Sequence, residues 1–93
     1  MAFIDEIKAK AKSNKKISVS WAAAENAEGY EIVYSTNSNF KKAKTKTITG
    51  KTSGKTKKLK SNTYYVKVRA FSTDYEGNKV YGEFSEVKTV IVR

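Results

Sequence analysis

The stretch from residue 63 to residue 70 alternates in polarity at every position. Tyr64, Val66, Val68 and Ala70 fall on one side, and the intervening Tyr65, Lys67 and Arg69 on the other. A period of two is that of a β-strand with one buried face, whereas a helix would scatter these residues around its axis. Similar stretches recur about every ten residues with turn-forming residues between them, which is typical of an antiparallel sandwich or barrel. The sequence therefore predicts an all-β fold.

The same reading along the chain predicts seven strands. Residues 43–49 alternate lysine and threonine, which suits a partly solvated edge strand, and Gly50 to Gly54 and residues 76–78 are predicted turns. Residues 1–16 fit either a helix or a strand, and we choose a strand at 5–12 with residues 1–6 as an extension, helical or disordered. The predicted strands are residues 5–12, 17–21, 30–35, 43–49, 61–71, 79–84 (interrupted at Gly82) and 86–92. The predicted core is Ile17, Val19, Trp21, Tyr30, Ile32, Leu59, Tyr64, Val66 and Val68.

Composition limits the chemistry open to this chain. Its 93 residues suffice for one domain with one core. Cysteine and histidine are both absent, which removes disulfides, thiolate metal sites, the usual general base and the commonest nitrogen ligand of zinc. The longest apolar run, Trp21 to Ala24, is far too short to cross a membrane, and the acidic start does not fit a signal peptide. We therefore predict a protein without catalytic residues, cofactor or metal site, and without membrane insertion.

Three local motifs resemble a catalytic or ligand-binding site, but each lacks a feature that such a site requires. The carboxylates cluster in predicted loops, where solvated surface acids are expected rather than a pair for acid–base catalysis. Residues 74–78, DYEGN, lack the ligand count of a calcium loop. The run from Gly50 to Thr56 resembles a phosphate loop, but it has three residues between its glycines instead of four and no helix after it.

The strongest feature beyond the fold is a basic block. The net charge is +10, and no acid occurs between Glu31 and Asp74. Strand alternation would place Lys42, Lys44 and Lys46 on one side, and we expect Lys41–Lys46 and Lys55–Lys60 to lie on neighbouring strands. The candidate polyanion or partner surface comprises Lys41, Lys42, Lys44, Lys46, Lys55, Lys57, Lys58 and Lys60.

Two interpretations of this block remain open. Lysines along an exposed edge strand discourage pairing with another sheet. Alternatively, they form a salt-sensitive surface for nucleic acid or an anionic cell-wall polymer. Lysine outnumbers arginine 17 to 2, so any nucleic-acid binding is expected to be nonspecific, because base readers use arginine forks.

A second candidate contact surface is the predicted hairpin tip. Its residues are Asp74, Tyr75, Glu76 and Tyr81. Tyrosine suits interfaces because one end is apolar and the other is polar. The alternative is that both tyrosines simply pack across the hairpin.

Several of these motifs together resemble a fibronectin type III domain. They are a strand ending near Trp21, a strand beginning at Gly29-Tyr30, and a corner from Leu59 to Tyr64 that leads into Tyr-x-Val-x-Val-x-Ala. The resemblance covers residues 7–92. GYEIVYSTNSNFKKAKT, TYYVKVRAF and NKVYGEFSEVKTV are similar to the lysine-rich repeats of secreted and surface proteins of Gram-positive bacteria.

The resemblance implies a single domain, residues 1–93, folded as a seven-stranded antiparallel Greek-key β-sandwich of immunoglobulin-like type. It gives Tyr64 the tyrosine-corner role, in which the hydroxyl bonds a nearby backbone group. Three features depart from the family. Leu59 and Tyr64 are one position closer together than usual, proline is absent, and no Arg-Gly-Asp occurs.

For function, the resemblance implies a non-catalytic, extracellular or cell-surface module that acts as a spacer, adhesion or protein-docking domain, monomeric in isolation. Its expected partners are a protein or an anionic cell-wall polymer. One alternative is a free-standing, cytoplasmic small protein, phage- or mobile-element-encoded, that binds and inhibits another macromolecule. A further alternative is a weak polyanion or nucleic-acid binder that uses the lysine-rich face.

Overall fold

The computed structural model describes residues 4–93, which form eight β-strands and no helix. That part of the chain accordingly contains no helix long and apolar enough to cross a membrane. The strands are β1 (Lys8–Ala11), β2 (Ile17–Ser20), β3 (Gly29–Ser35), β4 (Lys44–Thr49), β5 (Ser53–Lys55), β6 (Asn62–Thr73), β7 (Lys79–Tyr81) and β8 (Lys88–Val92).

The strands form two antiparallel sheets packed face to face. One sheet has the order β1-β2-β5, and the other has the order β4-β3-β6, with β7 and β8 both pairing with the far side of β6. The chain crosses between the sheets after β2, after β4 and again after β5. The predicted antiparallel sandwich is confirmed, and so is the position of β4 at a sheet edge.

The strand count is eight instead of seven because part of a predicted turn is a strand. Residues 53–55 pair with β2, and Gly54 lies opposite Val19. A Cβ on Gly54 would come within 2.6 Å of Ile48 Cδ1, so this glycine allows close packing between the sheets. The turn itself uses Gly50, whose φ of 76° is readily adopted only by glycine.

The core follows the alternation of β3 and β6. Tyr64, Val66, Val68 and Ala70 all point inward, and the ring of Trp21 packs against Tyr30 with centroids 5.2 Å apart. Eight of the nine predicted core residues are buried. The exception is Leu59, which is only partly buried and packs against the core from its rim.

The first described residues belong to the core as well. Ile4 and Ile7 are buried, and the amide of Ala22 donates a hydrogen bond to the carbonyl of Asp5. The strand begins later than predicted, at Lys8, and residues 4–7 form no helix. Residues 1–3 of the predicted extension lie outside the described residues.

The strand that follows the hairpin ends at Tyr81, directly before the interruption predicted at Gly82. Between β7 and β8 the chain bulges, while the amides of Gly82 and Ser85 still donate to the carbonyls of Ala70 and Val68. The hydroxyl of Ser85 accepts a hydrogen bond from the Val68 amide, so this buried backbone group keeps a partner. The bulge shortens both predicted strands, to Lys79–Tyr81 and Lys88–Val92.

The tyrosine corner is present. The hydroxyl of Tyr64 donates a hydrogen bond of 2.8 Å to the carbonyl of Lys60. The shorter separation between Leu59 and Tyr64 therefore does not abolish the corner. It leaves Leu59 at the rim instead of inside the core.

Replacing Tyr64 with phenylalanine should lower the free energy of unfolding by about 0.5–1.5 kcal/mol, because it removes this one hydrogen bond and keeps the ring. Chemical denaturation measures the change. The matched control is Tyr65→Phe, on the outer face of the same strand. Equal losses of stability in the two variants would contradict a stabilising role for the corner.

Candidate anion-binding groove

A large concave surface lies between the edges of the two sheets. It is a groove of about 690 Å³, which we call the lysine groove. One wall comes from the connection between β5 and β6, and the other from the loop before β4 and the start of β4. The lining residues are Tyr34, Ser35, Thr36, Asn37, Lys41, Lys42, Lys44, Lys57, Lys58, Leu59, Lys60, Asn62 and Tyr64.

The first wall is irregular chain held by side-chain hydrogen bonds. Thr56 is buried, and its hydroxyl accepts from the Ile17 amide at 3.0 Å and donates to the Lys57 carbonyl at 2.8 Å. The Leu59 amide donates to the carbonyl of Lys15. These hydrogen bonds take the place of β-sheet pairing in this segment, so the backbone that carries Lys57 and its neighbours is held in one position.

The second wall is held in the same manner. The buried hydroxyl of Ser35 donates to the carbonyl of Lys41 at 2.8 Å and accepts from the amide of Asn37. Phe40 and Lys42 both adopt positive φ, at 58° and 52°, a conformation that non-glycine residues rarely adopt. The loop therefore has a specific shape that directs Lys41 and Lys42 along the groove.

An aromatic contact on the outer face of the larger sheet secures this loop. The ammonium of Lys67 lies 4.1 Å from the ring centroid of Phe40 and 4.1 Å from that of Phe84. Phe84 comes from the bulge after β7, and it also lies 4.8 Å from the guanidinium of Arg69. The loop that carries Lys41 is thus tied to β6 through a cation held between two rings.

The floor of the lysine groove is formed by Tyr34, Tyr64 and Leu59. The two tyrosine rings belong to the core, and only 6% and 7% of each residue is exposed. Burial, and to a lesser degree the neighbouring Tyr64, raises the pKa of Tyr34 above its ordinary value of 10.0. Its hydroxyl therefore keeps its proton at physiological pH, so that it is neutral and able to donate a hydrogen bond.

The groove is strongly positive. None of the described residues that line it is acidic. Within residues 4–93 the two ion pairs are Arg69–Glu31 and Lys88–Glu86, so none of the groove lysines is neutralised by a neighbouring carboxylate. Like charges lining a concave surface reinforce one another's potential and attract anions.

Six of the eight predicted surface lysines meet in this groove, although not by the predicted arrangement. Lys44 and Lys46 do share the face of β4 that turns toward the other sheet, since they lie opposite Tyr34 and Ile32. Lys42, however, precedes the strand. Lys46 and Lys55 line a separate depression of about 380 Å³, together with Lys51.

The expectation that the two lysine clusters lie on neighbouring strands is wrong. β4 and β5 belong to different sheets, and residues 56–60 form no strand. The lysines converge across the open side of the sandwich because one cluster lies on the connection that crosses from β5 to β6, and the other lies on the loop before β4 and the start of that strand. Spacing along a single strand does not reveal such a contact.

The hairpin tip is built differently. A carboxylate oxygen of Asp74 accepts hydrogen bonds of 2.9 Å from the amides of Glu76 and Asn78, so Asp74 shapes the turn. Tyr75 projects from the turn with 97% of its surface exposed. Tyr81 instead packs across the hairpin, 6.5 Å from the ring of Phe71 and 3.7 Å from the guanidinium of Arg69.

The hairpin tip and the lysine groove lie at opposite ends of β6. Tyr64 lines the groove and Asp74 begins the turn, so about 33 Å of extended chain separates them. The two predicted surfaces therefore cannot form one site for a small ligand.

Sequence reasoning missed several residues that shape the groove. Ser35 and Asn37 stand in a run of turn-forming residues, which indicates a loop but not which carbonyl each side chain will bond. The role of Phe40 depends on Lys67, which is distant in the sequence. Within residues 4–93 there is no cluster of three or more acidic side chains that could hold a metal ion.

The two sheets, the corner at Tyr64 and the antiparallel order of the strands define a fibronectin type III fold. The chain is similar over its whole length to the chicken CNTN1 FN1–FN3 domains, with 26% identity and a TM-score of 0.82, and it spans 32% of that chain. It is also similar to an Fn3-like protein from Clostridium thermocellum, with 26% identity and a TM-score of 0.76 over 96% of this chain and 90% of that one.

The FN5 domain of Drosophila Lar shares the fold at 17% identity, with a TM-score of 0.74 over 98% of this chain and 95% of that one. No family model and no curated protein matches the sequence. Domains with this fold are generally non-catalytic modules for binding or spacing.

Replacing Phe40 with alanine should loosen the loop that carries Lys41 and Lys42. The cation–ring interaction that it removes is worth about 0.5–2 kcal/mol, so the amides of Asn39 and Phe40 should exchange with solvent roughly 2- to 30-fold faster. Hydrogen exchange followed by NMR measures this change. Phe84→Ala is the control, since it removes the other ring from Lys67 and leaves the loop intact; equal acceleration in both variants would refute the role given to Phe40.

Proposed function

We propose that this domain is a non-catalytic module of an extracellular bacterial protein, and that its lysine groove attaches the protein to an anionic polymer. The observation that carries the proposal is the convergence of six lysines from two separate segments on one groove. In the described chain no acidic residue neutralises them.

The position of three of these lysines favours binding over protection of a sheet edge. Lys44 lies on the edge strand β4, where a lysine discourages pairing with another sheet. Lys57, Lys58 and Lys60 instead lie on an irregular connection that offers no strand for pairing. Edge protection does not account for them, whereas a shared anionic ligand accounts for both clusters.

The bacterial, extracellular setting rests on likeness. The sequence resembles lysine-rich repeats of Gram-positive surface proteins, and a bacterium, Clostridium thermocellum, has a similar Fn3-like protein. In that setting the domain would act as an adhesion or docking module, in contact with an anionic polymer through the groove.

A second candidate function is protein docking through the hairpin tip, either within a larger protein or as a free-standing inhibitor. Tyr75 favours it, because a fully exposed aromatic side chain on a turn fixed by Asp74 loses little entropy on binding. Tyr75→Ser should leave polymer binding unchanged, since the tip lies about 33 Å from the groove. A loss of polymer binding in this variant would place the contact at the tip.

The proposal predicts that replacing Lys42, Lys44 and Lys58 with glutamine weakens binding to a single-stranded oligo(dT) about tenfold or more at low salt. The slope of log K against log salt should fall by about 2, because each neutralised phosphate of a single strand contributes about 0.7 to that slope. Fluorescence anisotropy at several salt concentrations measures both quantities.

The matched control replaces Lys10, Lys12 and Lys79, which are exposed and lie outside the groove. Both triple variants lose the same net charge, so a general charge effect would weaken them equally. Equal weakening, or a wild-type affinity that does not change with salt, would refute the groove as the binding surface.

A further inference from the structure

We infer that the lysine groove binds the phosphate groups of a flexible polymer through its ammonium groups and the Tyr34 hydroxyl, without stacking on bases or sugar rings. The inference rests on the proposed function and adds the chemical class of the ligand. It follows from the lysine side chains that line the groove and from the absence of an exposed aromatic ring among the described residues that line it.

The groove offers no aromatic face for stacking. Proteins that hold single-stranded nucleic acid usually stack bases on exposed aromatic rings, at about 1–3 kcal/mol for each base. Tyr34 and Tyr64 are the aromatic residues that line this groove, and both rings are at least nine-tenths buried in the core. A base or sugar ring that entered the groove would find lysine side chains and the edge of Leu59.

Other aromatic side chains near β6, including Tyr65 on the outer face of that strand, do not line the groove. Phe40 and Phe84 lie on the outer face of the larger sheet, against the ammonium of Lys67. Tyr81 is stacked with the guanidinium of Arg69. Tyr75 is free, but it lies at the far end of β6.

The cations in the groove suit phosphate. Arginine pairs bidentately with carboxylate and phosphate alike, whereas lysine is a compact point charge that commonly binds phosphate. All six cations of the groove are lysines. Arg69 lies on the outer face, where it is paired with Glu31 at 2.8 Å, and Arg93 ends the chain.

The phenol of Tyr34 fits the same ligand. It lines the groove floor and carries a proton at physiological pH, so it presents a neutral hydrogen-bond donor beneath a ring of positive charge. A phosphodiester has oxygens for both kinds of contact. Nucleic-acid backbones, polyol phosphates and inorganic polyphosphate share this chemistry.

The test compares polymers of matched total charge that differ in their bases, their sugar or their anionic group. Oligo(dT) and an abasic oligodeoxynucleotide of the same length have the same phosphates, but only the first has bases. A glycerol phosphate polymer and inorganic polyphosphate lack both bases and deoxyribose, and poly-L-glutamate replaces phosphate by carboxylate. Binding of the intact protein is measured by fluorescence anisotropy, with competition for the unlabelled polymers.

The inference predicts dissociation constants for oligo(dT) and the abasic strand within about threefold, since even one stacked base would change them roughly fivefold or more. Poly-L-glutamate should bind measurably more weakly than the phosphate polymers, because lysine is a common partner of phosphate. Whichever phosphate polymer binds most tightly at physiological salt identifies the source of the ligand and agrees with the inference.

Two results would overturn the inference while leaving the proposed function intact. One is oligo(dT) binding more than about threefold tighter than the abasic strand, which would require stacking. The other is poly-L-glutamate binding as tightly as the phosphate polymers. If the wild type bound no polyanion more tightly than the Lys42, Lys44 and Lys58 triple variant, the proposed function itself would fail, and the inference with it.

Discussion

The chain between β5 and β6 has to cross from one sheet to the other without a strand to pair its backbone, and this constraint shapes both the fold and the groove. Thr56 pairs with both backbone groups of Ile17, through its own amide and its hydroxyl. At the other end of the crossing, the hydroxyl of Tyr64 donates a hydrogen bond to the carbonyl of Lys60 and fixes the backbone there. Because the crossing is fixed at both ends, the lysine side chains along it cannot point into the core. They project over the open side of the sandwich instead.

The opposite wall of the groove reaches a comparable rigidity by other means. Ser35 ends β3 and bonds the carbonyl of Lys41, while Phe40 folds back over Lys67 on β6. One wall is thus anchored to both sheets, and the other to the larger sheet alone. The backbone that carries the lysines would need little reorganisation to receive a ligand that bridges the walls.

Much of the fold can be predicted from the sequence, because it depends on a local period. Alternation alone identifies the core-facing residues of β3 and β6, including Tyr64, and turn-forming residues identify the hairpin. The errors arise where packing between the sheets decides the outcome. Gly54 is typical of a turn, yet it lies in a strand that pairs with β2, where Ile48 occupies the space that a Cβ would need. Leu59 is typical of a core, but the corner leaves it at the rim.

The lysine groove could be predicted only in part, for the same reason. The lysines are visible in the sequence as a basic block without acids. Whether they come together in space depends on the paths of the two connections that carry them. The packing of Phe40 on Lys67 and the positive φ angles of the loop leave no local signal. The hairpin shows the converse: Tyr75 and Tyr81 look equivalent in the sequence, and only the packing of Arg69 on one ring separates them.

We propose that one charged groove, formed by both sheets, is the binding surface of this domain. An NMR titration of the isotope-labelled protein with inorganic polyphosphate tests this proposal. We expect the largest chemical-shift changes in residues 35–44 and 57–62, on both walls together, and hardly any change in β1 or the hairpin tip. Changes centred on the hairpin tip or on the outer face around Lys67, or spread evenly over all exposed lysines, would contradict it.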